Sequence, residues 1–590
     1  MKDKNAFYSD NIKKYTSVVS SLKNRLISLS SIRLAVFILS AIGLYLLYPN
    51  WKFMLLIGII GVVVFVFLLS RYTDYKSKLE LNQSLLKINQ EEQKIASGEF
   101  EHRNPGSNFQ NPNHQYSFDV DLFGKGSFFQ YSNRTVLGSG QDYLVQMLTA
   151  NDISDIEMRQ EAIKELSQKQ EWSQIFSATG SLIETESSSE EILHWLKHHK
   201  PFVPHYMSWL PWVFSTISII LLLLSVFETI DISLFGYWLF AGLALTGVYL
   251  KKINVLAHNS DKAKATFKQF SSLLLLIEQQ KFSSELLIVK QQQIHLKDIK
   301  ASSIVKRFSK HLDALDNRNN LIGAIFGNGY LLLDLKNTYK IERWITNYAH
   351  KAEDWFETIA FFDAYNSLGT FAFNHPNYVF PKIELHTNTV LNAKALGHPM
   401  ISEGKRVASD IIIDKQQFFV VTGANMAGKS TFLRTVSLHI IMANTGLPVC
   451  ASSSLYTPIK LITSMRTSDS LSDESSYFFS ELTRLKFIVE SIADEPYFII
   501  LDEILKGTNS TDKAIGSKRF VEKLVEGHAT GVIATHDLSL CEISETLAEV
   551  KNYYFDAEII DDELYFDYKL KKGICQNMNA SFLMKKMNIV

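Results

Sequence analysis

Three stretches in the last third of the chain hold residue types whose spacing suits phosphate chemistry. Gly423-Ala424-Asn425-Met426-Ala427-Gly428-Lys429-Ser430 satisfies the GxxxxGK[ST] pattern and follows the apolar run Gln417 to Thr422. Its glycines let backbone N–H groups close around phosphate oxygens at a positive helix end. Lys429 neutralises the β- and γ-phosphates, and Ser430 can ligate magnesium. Downstream, "YFIILDEI" reads as a buried strand ending in Asp502 and Glu503. Asp502 suits a magnesium ligand, directly or through water, and Glu503 is placed to polarise an attacking water. A third run, "GVIATHDLS", ends in Thr535-His536-Asp537. There His536 can hydrogen-bond the γ-phosphate or the attacking water.

These residues imply ATP with Mg2+. Lys429, Glu503 and His536 form the expected catalytic set, and Gly423 to Ser430 together with Thr431 form the nucleotide-binding loop. Ser430 and Asp502 are the expected metal ligands. An acidic N-cap after a strand would account for one carboxylate, and a lone strand-end histidine is more often structural. The adjacent acids together with the loop are poorly explained that way. The elements that must position them are short β-rich runs, Gln417 to Thr422, Phe498 to Leu501 and Gly531 to Ala534, alternating with helical stretches. That alternation is the pattern of a parallel sheet with crossover helices.

The loop "TGANMAGKSTFLRT" resembles the Walker A of the MutS ATPases, habitually TGPNMGGKST. Asn425 and Met426 are the distinguishing pair, while Ala424 and Ala427 depart from the usual Pro and Gly. "SDESSYFFSELTRL" resembles the family's signature STFxxEM, with Ser476 and Glu481 on its Ser and Glu, and "GTNSTD" (Gly507 to Asp512) is similar to the loop after Walker B. Upstream, "FFDAYNSLGTFAFNHPNYVFPKIEL", "ALGHPMI" and "MRQEAIKEL" look like the end of the family's core helices, the entry to its ATPase domain and the start of the core. About two thirds of the chain falls within this likeness. It implies an ABC-class ATPase that dimerises head to tail, with Ser476 reaching the γ-phosphate held by the other subunit. No counterpart of the family's Phe-x-Glu mismatch reader is found, since "GEFEH" has the wrong order. His398, in "GHP", is a candidate for support near the site or a satisfied turn histidine.

The first half of the chain poses a different problem. Arg33 to Tyr48, Phe53 to Ser70, Trp209 to Phe227 and Leu234 to Leu250 approach the roughly 17 to 25 apolar residues that a membrane-crossing helix needs. Tiny loops, "YPNWK" and "ETIDIS", join them into two hairpins. Lys13, Lys14, Lys23, Arg25, Arg33, Arg71, Lys76, Lys78, Lys197, Lys200, Lys251 and Lys252 all lie on the side away from those loops, which places that side in the cytoplasm. A multi-pass inner-membrane protein with a cytoplasmic ATPase domain is therefore expected, and no removable signal peptide is read. Leu321 to Leu335, interrupted by glycines, Asn328 and Asp334, reads as buried protein. A fifth crossing would put the nucleotide site on the far side of the membrane from ATP.

The expected fold class is multi-domain α and α/β. It divides into an N-terminal helix (1–32), a first transmembrane hairpin (33–71), a helical core (72–206) and a second hairpin (207–251). A strut with more core (252–380) and a P-loop ATPase domain (381–590) complete it. Leu79 to Ile95 and Lys251 to His295 read as helices, and Asn151 or Ser154 as a helix start. The second hairpin falls where the family inserts its DNA clamp. Sixty basic against sixty-one acidic residues leave no global positive field, which counts against a dedicated nucleic-acid binder. Three distant cysteines, Cys450, Cys541 and Cys575, do not suit zinc.

Two functions follow from these features. One is a membrane-anchored ATPase working as a homodimer beside DNA at the lipid bilayer. The other is a mechanochemical ATPase driving a membrane protein partner without DNA. A transporter motor fits less well, because the signature is not of the LSGGQ kind and the spans offer few polar groups for a substrate path.

Overall fold

In the computed structural model, residues 4–182, 188–295, 299–316, 318, 320–466, 477–506, 508–560 and 563–576 are described. Two antiparallel helices open the chain, α1 (Lys4–Leu46) and α2 (Trp51–Ala96). Each is continuous from its apolar half into its polar half, so the expected boundaries near residues 32 and 72 lie inside unbroken helices. The N-terminus is tied to the helical body through Tyr8, whose hydroxyl donates to Asn374 Oδ1 at 2.7 Å. Short helices follow: α3 (Phe128–Ser132), α4 (Gly138–Thr149), α5 (Ile156–Gln168), α6 (Gln170–Ser181) and α7 (Ser189–His198). After them come α8 (Leu210–Val226), α9 (Ile232–Gln279), α10 (Glu285–Gln293), α11 (Ala301–Asp316), α12 (Leu321–Leu331) and α13 (Leu333–Asn374). The core of this part is aromatic, with Phe267, Phe308, Trp355 and Phe362 fully buried between α9, α11 and α13.

Three helices, α1, α2 and α9, are long and apolar enough to cross a membrane. The fourth expected span, α8, has 17 residues, about 25 Å of helix, and is preceded by a 3-10 turn, His205–Ser208. Helix α9 is 48 residues long, about 72 Å, and runs unbroken from its apolar start into the core. The expected strut ends earlier than His295, at Gln279.

Leu321 to Leu335, expected to be buried, is exposed in its first half and largely buried from Gly327 onward. Leu321, Ile322 and Phe326 are exposed, while Gly327, Asn328 and Gly329 pack against α8 and α9. Gly242 and Gly329 bring the backbones of α9 and α12 so close that a Cβ on Gly242 would strike the Gly329 carbonyl. Left-handed Leu332 (φ 49°) then breaks the helix before α13. Of the glycines that look like interruptions, Gly329 is a contact point between α12 and α9.

The C-terminal part is α/β. Strands β1 (Lys382–Ile383), β2 (Thr389–Leu396), β3 (Ser409–Asp414) and β5 (Ser453–Tyr456) form a sheet in the order β1-β5-β2-β3. A six-stranded sheet contains β4 (Phe418–Gly423), β6 (Lys460–Ser464), β7 (Tyr497–Asp502), β8 (Thr530–Ala534), β9 (Val550–Phe555) and β12 (Leu570–Lys572), ordered β12-β9-β4-β8-β7-β6. All its neighbours are parallel except β12 with β9. A small hairpin, β10 (Glu558–Ile560) with β11 (Glu563–Tyr565), lies near the end. The crossovers carry α14 (Lys429–Thr445), α15 (Tyr477–Asp494), α16 (Ser510–Glu526) and α17 (Ile543–Thr546). The three strands expected from sequence are β4, β7 and β8, each within one residue of its expected ends.

The outer edge of β6 is sealed by the helical part. Asn151 accepts from Leu461 N at 2.8 Å and donates to Leu461 O at 2.9 Å, imitating a neighbouring strand. Two residues on, Thr463 N donates to Gln115 O at 2.9 Å, and Met465 N and Arg466 N donate to the Asp119 carboxylate. Asn151 is therefore an edge cap and not a helix start; α5 begins after Asp155. Replacing it, Asn151→Ala, leaves two buried backbone groups unpaired, at about 1–3 kcal/mol each. The expected outcome is faster amide hydrogen exchange across residues 460–464 and a lower melting temperature, with unchanged exchange in α4.

Candidate functional site

The site sits at the C-terminal ends of β4, β7 and β8, where parallel strands open onto a crevice. Gly423 ends β4 at φ 150°, and a Cβ there would collide with the Phe555 carbonyl on β9. Ala424 and Ala427 are buried, so the two departures from the family pattern face inward; Asn425, Met426, Ser430 and Thr431 are exposed. Met426 (φ 68°) and Gly428 (φ 106°) are left-handed, which curls the loop around the N-terminus of α14. Such a curl aims successive N–H groups at one anion.

Lys429 is buried, and its ammonium donates to Gly423 O at 2.8 Å and Ala424 O at 3.1 Å. Burial draws it below the usual lysine range, opposed by the nearby Glu503 and Asp502 carboxylates. Ser430 Oγ donates to Asp502 Oδ2 at 2.7 Å. A hydroxyl beside a carboxylate at a helix N-terminus is an oxygen donor set that fits Mg2+, which keeps several waters and takes few protein ligands.

Glu503 has φ 50°, an unusual conformation for a residue with a side chain, held by its own N–H to Ala534 O at 2.9 Å. Its carboxylate lies 2.8 Å from His536 Nε2. That contact, with Lys506 nearby, holds the Glu503 carboxyl at about 2. The attraction stabilises the fold above the ordinary carboxylate range and fades as pH falls toward 2. His536 Nε2 is also 3.1 Å from Lys429 Nζ. One ring nitrogen cannot serve both partners at once: with a proton it donates to Glu503, without one it accepts from Lys429.

The structure thus brings Gly423 to Thr431, Asp502, Glu503 and His536 together. Ser476 and Gly507 lie outside the described residues. His398 is not with them; its Nδ1 accepts from Met400 N at 3.3 Å, which makes it a turn histidine, and burial lowers its pKa to about 4.

One contact escapes the sequence, and Glu481, named there only for its place in the signature, gains a structural role. Tyr568 brings its ring to the loop, 3.2 Å from where a Cβ on Gly428 would stand, after a chain excursion that no local pattern announces. Glu481 on α15 accepts from Leu505 N at 2.6 Å and Lys506 N at 3.0 Å, pinning the turn after Glu503. Burial raises the Glu481 pKa, against the pull of those two N–H groups. Glu481→Ala leaves both amides without an acceptor, at about 1–3 kcal/mol each. A lower thermal midpoint is expected, with Glu481→Gln restoring only part of it, because its amide offers one acceptor oxygen to the two N–H groups.

Residues 419–586 match the family model described as MutS domain V. The chain is 33% identical over 215 residues to human "MutS protein homolog 4", covering 34% of this chain and 22% of the relative. It is 31% identical over 208 residues to "DNA mismatch repair protein MutS" of Bacteroides fragilis, covering 33% and 24%, and 34% identical over 220 residues to the protein of that name from Methanococcoides burtonii, covering 36% and 24%. The chain spans less than a quarter of the length of these relatives, and the matched third of it is narrower than the two thirds over which sequence motifs suggest a likeness. Over residues 419–586, the segment that carries this site, the chain is similar to the MutS family.

Proposed function

We propose that this protein is an ATP hydrolase anchored in a membrane by four helices, working as a head-to-tail dimer through its domain V. The observation that carries the reading is the convergence of Lys429, Ser430, Asp502, Glu503 and His536 at one curled loop. Ser430 and Asp502 would hold Mg2+, which would neutralise phosphate charge. Lys429 exchanges its backbone carbonyl partners for phosphate oxygens. Glu503, kept ionised, orients and accepts the proton of the attacking water, and His536 passes between Glu503 and Lys429 according to its own proton. Ser476 completes the site of the other subunit. Glu503→Gln should bind ATP with near-native affinity, lower kcat by about 100-fold or more, and shift size-exclusion light scattering toward dimer when ATP is added. Unchanged steady-state hydrolysis would overturn the role given to Glu503.

The relatives named for mismatch repair support a DNA-linked task, with the bilayer holding the protein beside its DNA. A specific feature favours a second reading, in which the ATPase drives a membrane partner. Asp121 joins Arg434 of α14 at 3.0 Å and Arg466 at 2.6 Å, while Arg484 of α15 donates to the carbonyls of His114 and Gln115. Both crossover helices that border the nucleotide site therefore grip one loop of the helical part, and α9 continues from that part into its apolar half. Hydrolysis by the detergent-purified protein, measured with and without branched or mismatched DNA at physiological salt, separates the two. Stimulation lost on replacing basic residues of the helical arms supports the first, and indifference to every nucleic acid supports the second.

A further inference from the structure

A large cavity lies far in sequence from the 423–431 loop. It holds about 1280 Å³ between α7, the 199–202 segment and the part of α9 that begins where its apolar run ends. Lys251 and Lys252 follow that run directly, and Lys200 and Lys262 also line the cavity. Lys252 stands over the Phe202 ring at 5.7 Å, and none of the four lysines pairs with a carboxylate among the described residues. Two acids, Glu190 and Glu191, border it from the first turn of α7.

His194, His198, His199 and Asn259 add polar edges to the lining, and Trp195, Phe202, Val255 and Leu256 supply an apolar wall. Val255 is 61% exposed although it sits on a long ordered helix. The indole N–H of Trp195 is buried and has no acceptor among the described residues. The wall itself is fixed, because buried Glu342 of α13 accepts from Phe202 N at 2.9 Å and Val203 N at 3.0 Å and meets His199 Nε2 at 3.1 Å. A cavity with a rigid apolar side and unpaired cations at its mouth is built for an anionic amphiphile.

We propose that this cavity binds the headgroup of an anionic phospholipid. Lys200, Lys251 and Lys252 hold the phosphate, and Phe202 and Val255 cover the glycerol and first acyl carbons. The position supports a lipid over a free phosphate: a small anion would use the lysines and leave the apolar wall wet, whereas the end of an apolar helix is where headgroups lie. The inference rests on the reading of α8 and α9 as membrane-crossing, and adds to it a ligand class and a site.

The test uses the full chain in neutral detergent, offered equal amounts of phosphatidylglycerol and phosphatidylcholine and examined by native mass spectrometry. Preferential retention of phosphatidylglycerol is expected, falling about fivefold for each of Lys200→Ala, Lys251→Ala and Lys252→Ala, while Lys76→Ala and basal ATP hydrolysis stay as in the parent. Equal retention of the two lipids, retention unchanged in the triple variant, or displacement by millimolar inorganic phosphate would overturn the proposal, the last by identifying a soluble anion as the occupant. Recovery of folded, monodisperse protein without detergent would overturn the membrane reading itself. A chain that needs detergent yet shows no lipid preference fails this inference alone.

Discussion

A parallel sheet that ends in an open edge must satisfy that edge or tolerate pairing with another chain, and here the whole arrangement follows from how β6 is covered. Asn151, Gln115 and Asp119 take the outward-facing backbone groups of residues 461, 463, 465 and 466. Each of these donors and acceptors belongs to the helical part. The C-terminal α/β part is therefore bound to the helical part by hydrogen bonds to its backbone with little slack, in place of a loose surface contact. Rigid coupling is what makes a change at α14 or α15 consequential elsewhere.

The same economy marks the site. Glu503 and Leu505 are left-handed non-glycine residues on either side of a turn whose amides are pinned by Glu481. Strain of that kind persists only where surrounding contacts over-determine it. Its effect is to direct one carboxylate toward His536 while the preceding one faces Ser430. Two adjacent acids on a strand would otherwise point to opposite faces.

In the first half of the chain, continuity of helix matters more than the boundaries between apolar and polar composition. Helices α1, α2 and α9 each pass from an apolar, outward-exposed stretch into a packed one without a break. The positively charged residues at those transitions include Lys251 and Lys252, which also line the cavity, so charge asymmetry and cavity chemistry arise in part from the same positions.

Much of the candidate site's layout was legible in the sequence because its pattern is local. Glycine, lysine and serine recur at fixed spacing after a strand, and the acid pair needs only the end of a buried run, so the residues that the structure brings together, Gly423 to Thr431, Asp502, Glu503 and His536, could be named from order alone. What sequence could not determine is everything that depends on which distant segments meet. Tyr568 reaches the loop, Asn151 turns from an apparent helix start into an edge cap, and Gly329 of α12 becomes a contact point with α9 through long-range packing. Periodicity reports which face of an element is apolar, and only the tertiary structure decides what that face is pressed against.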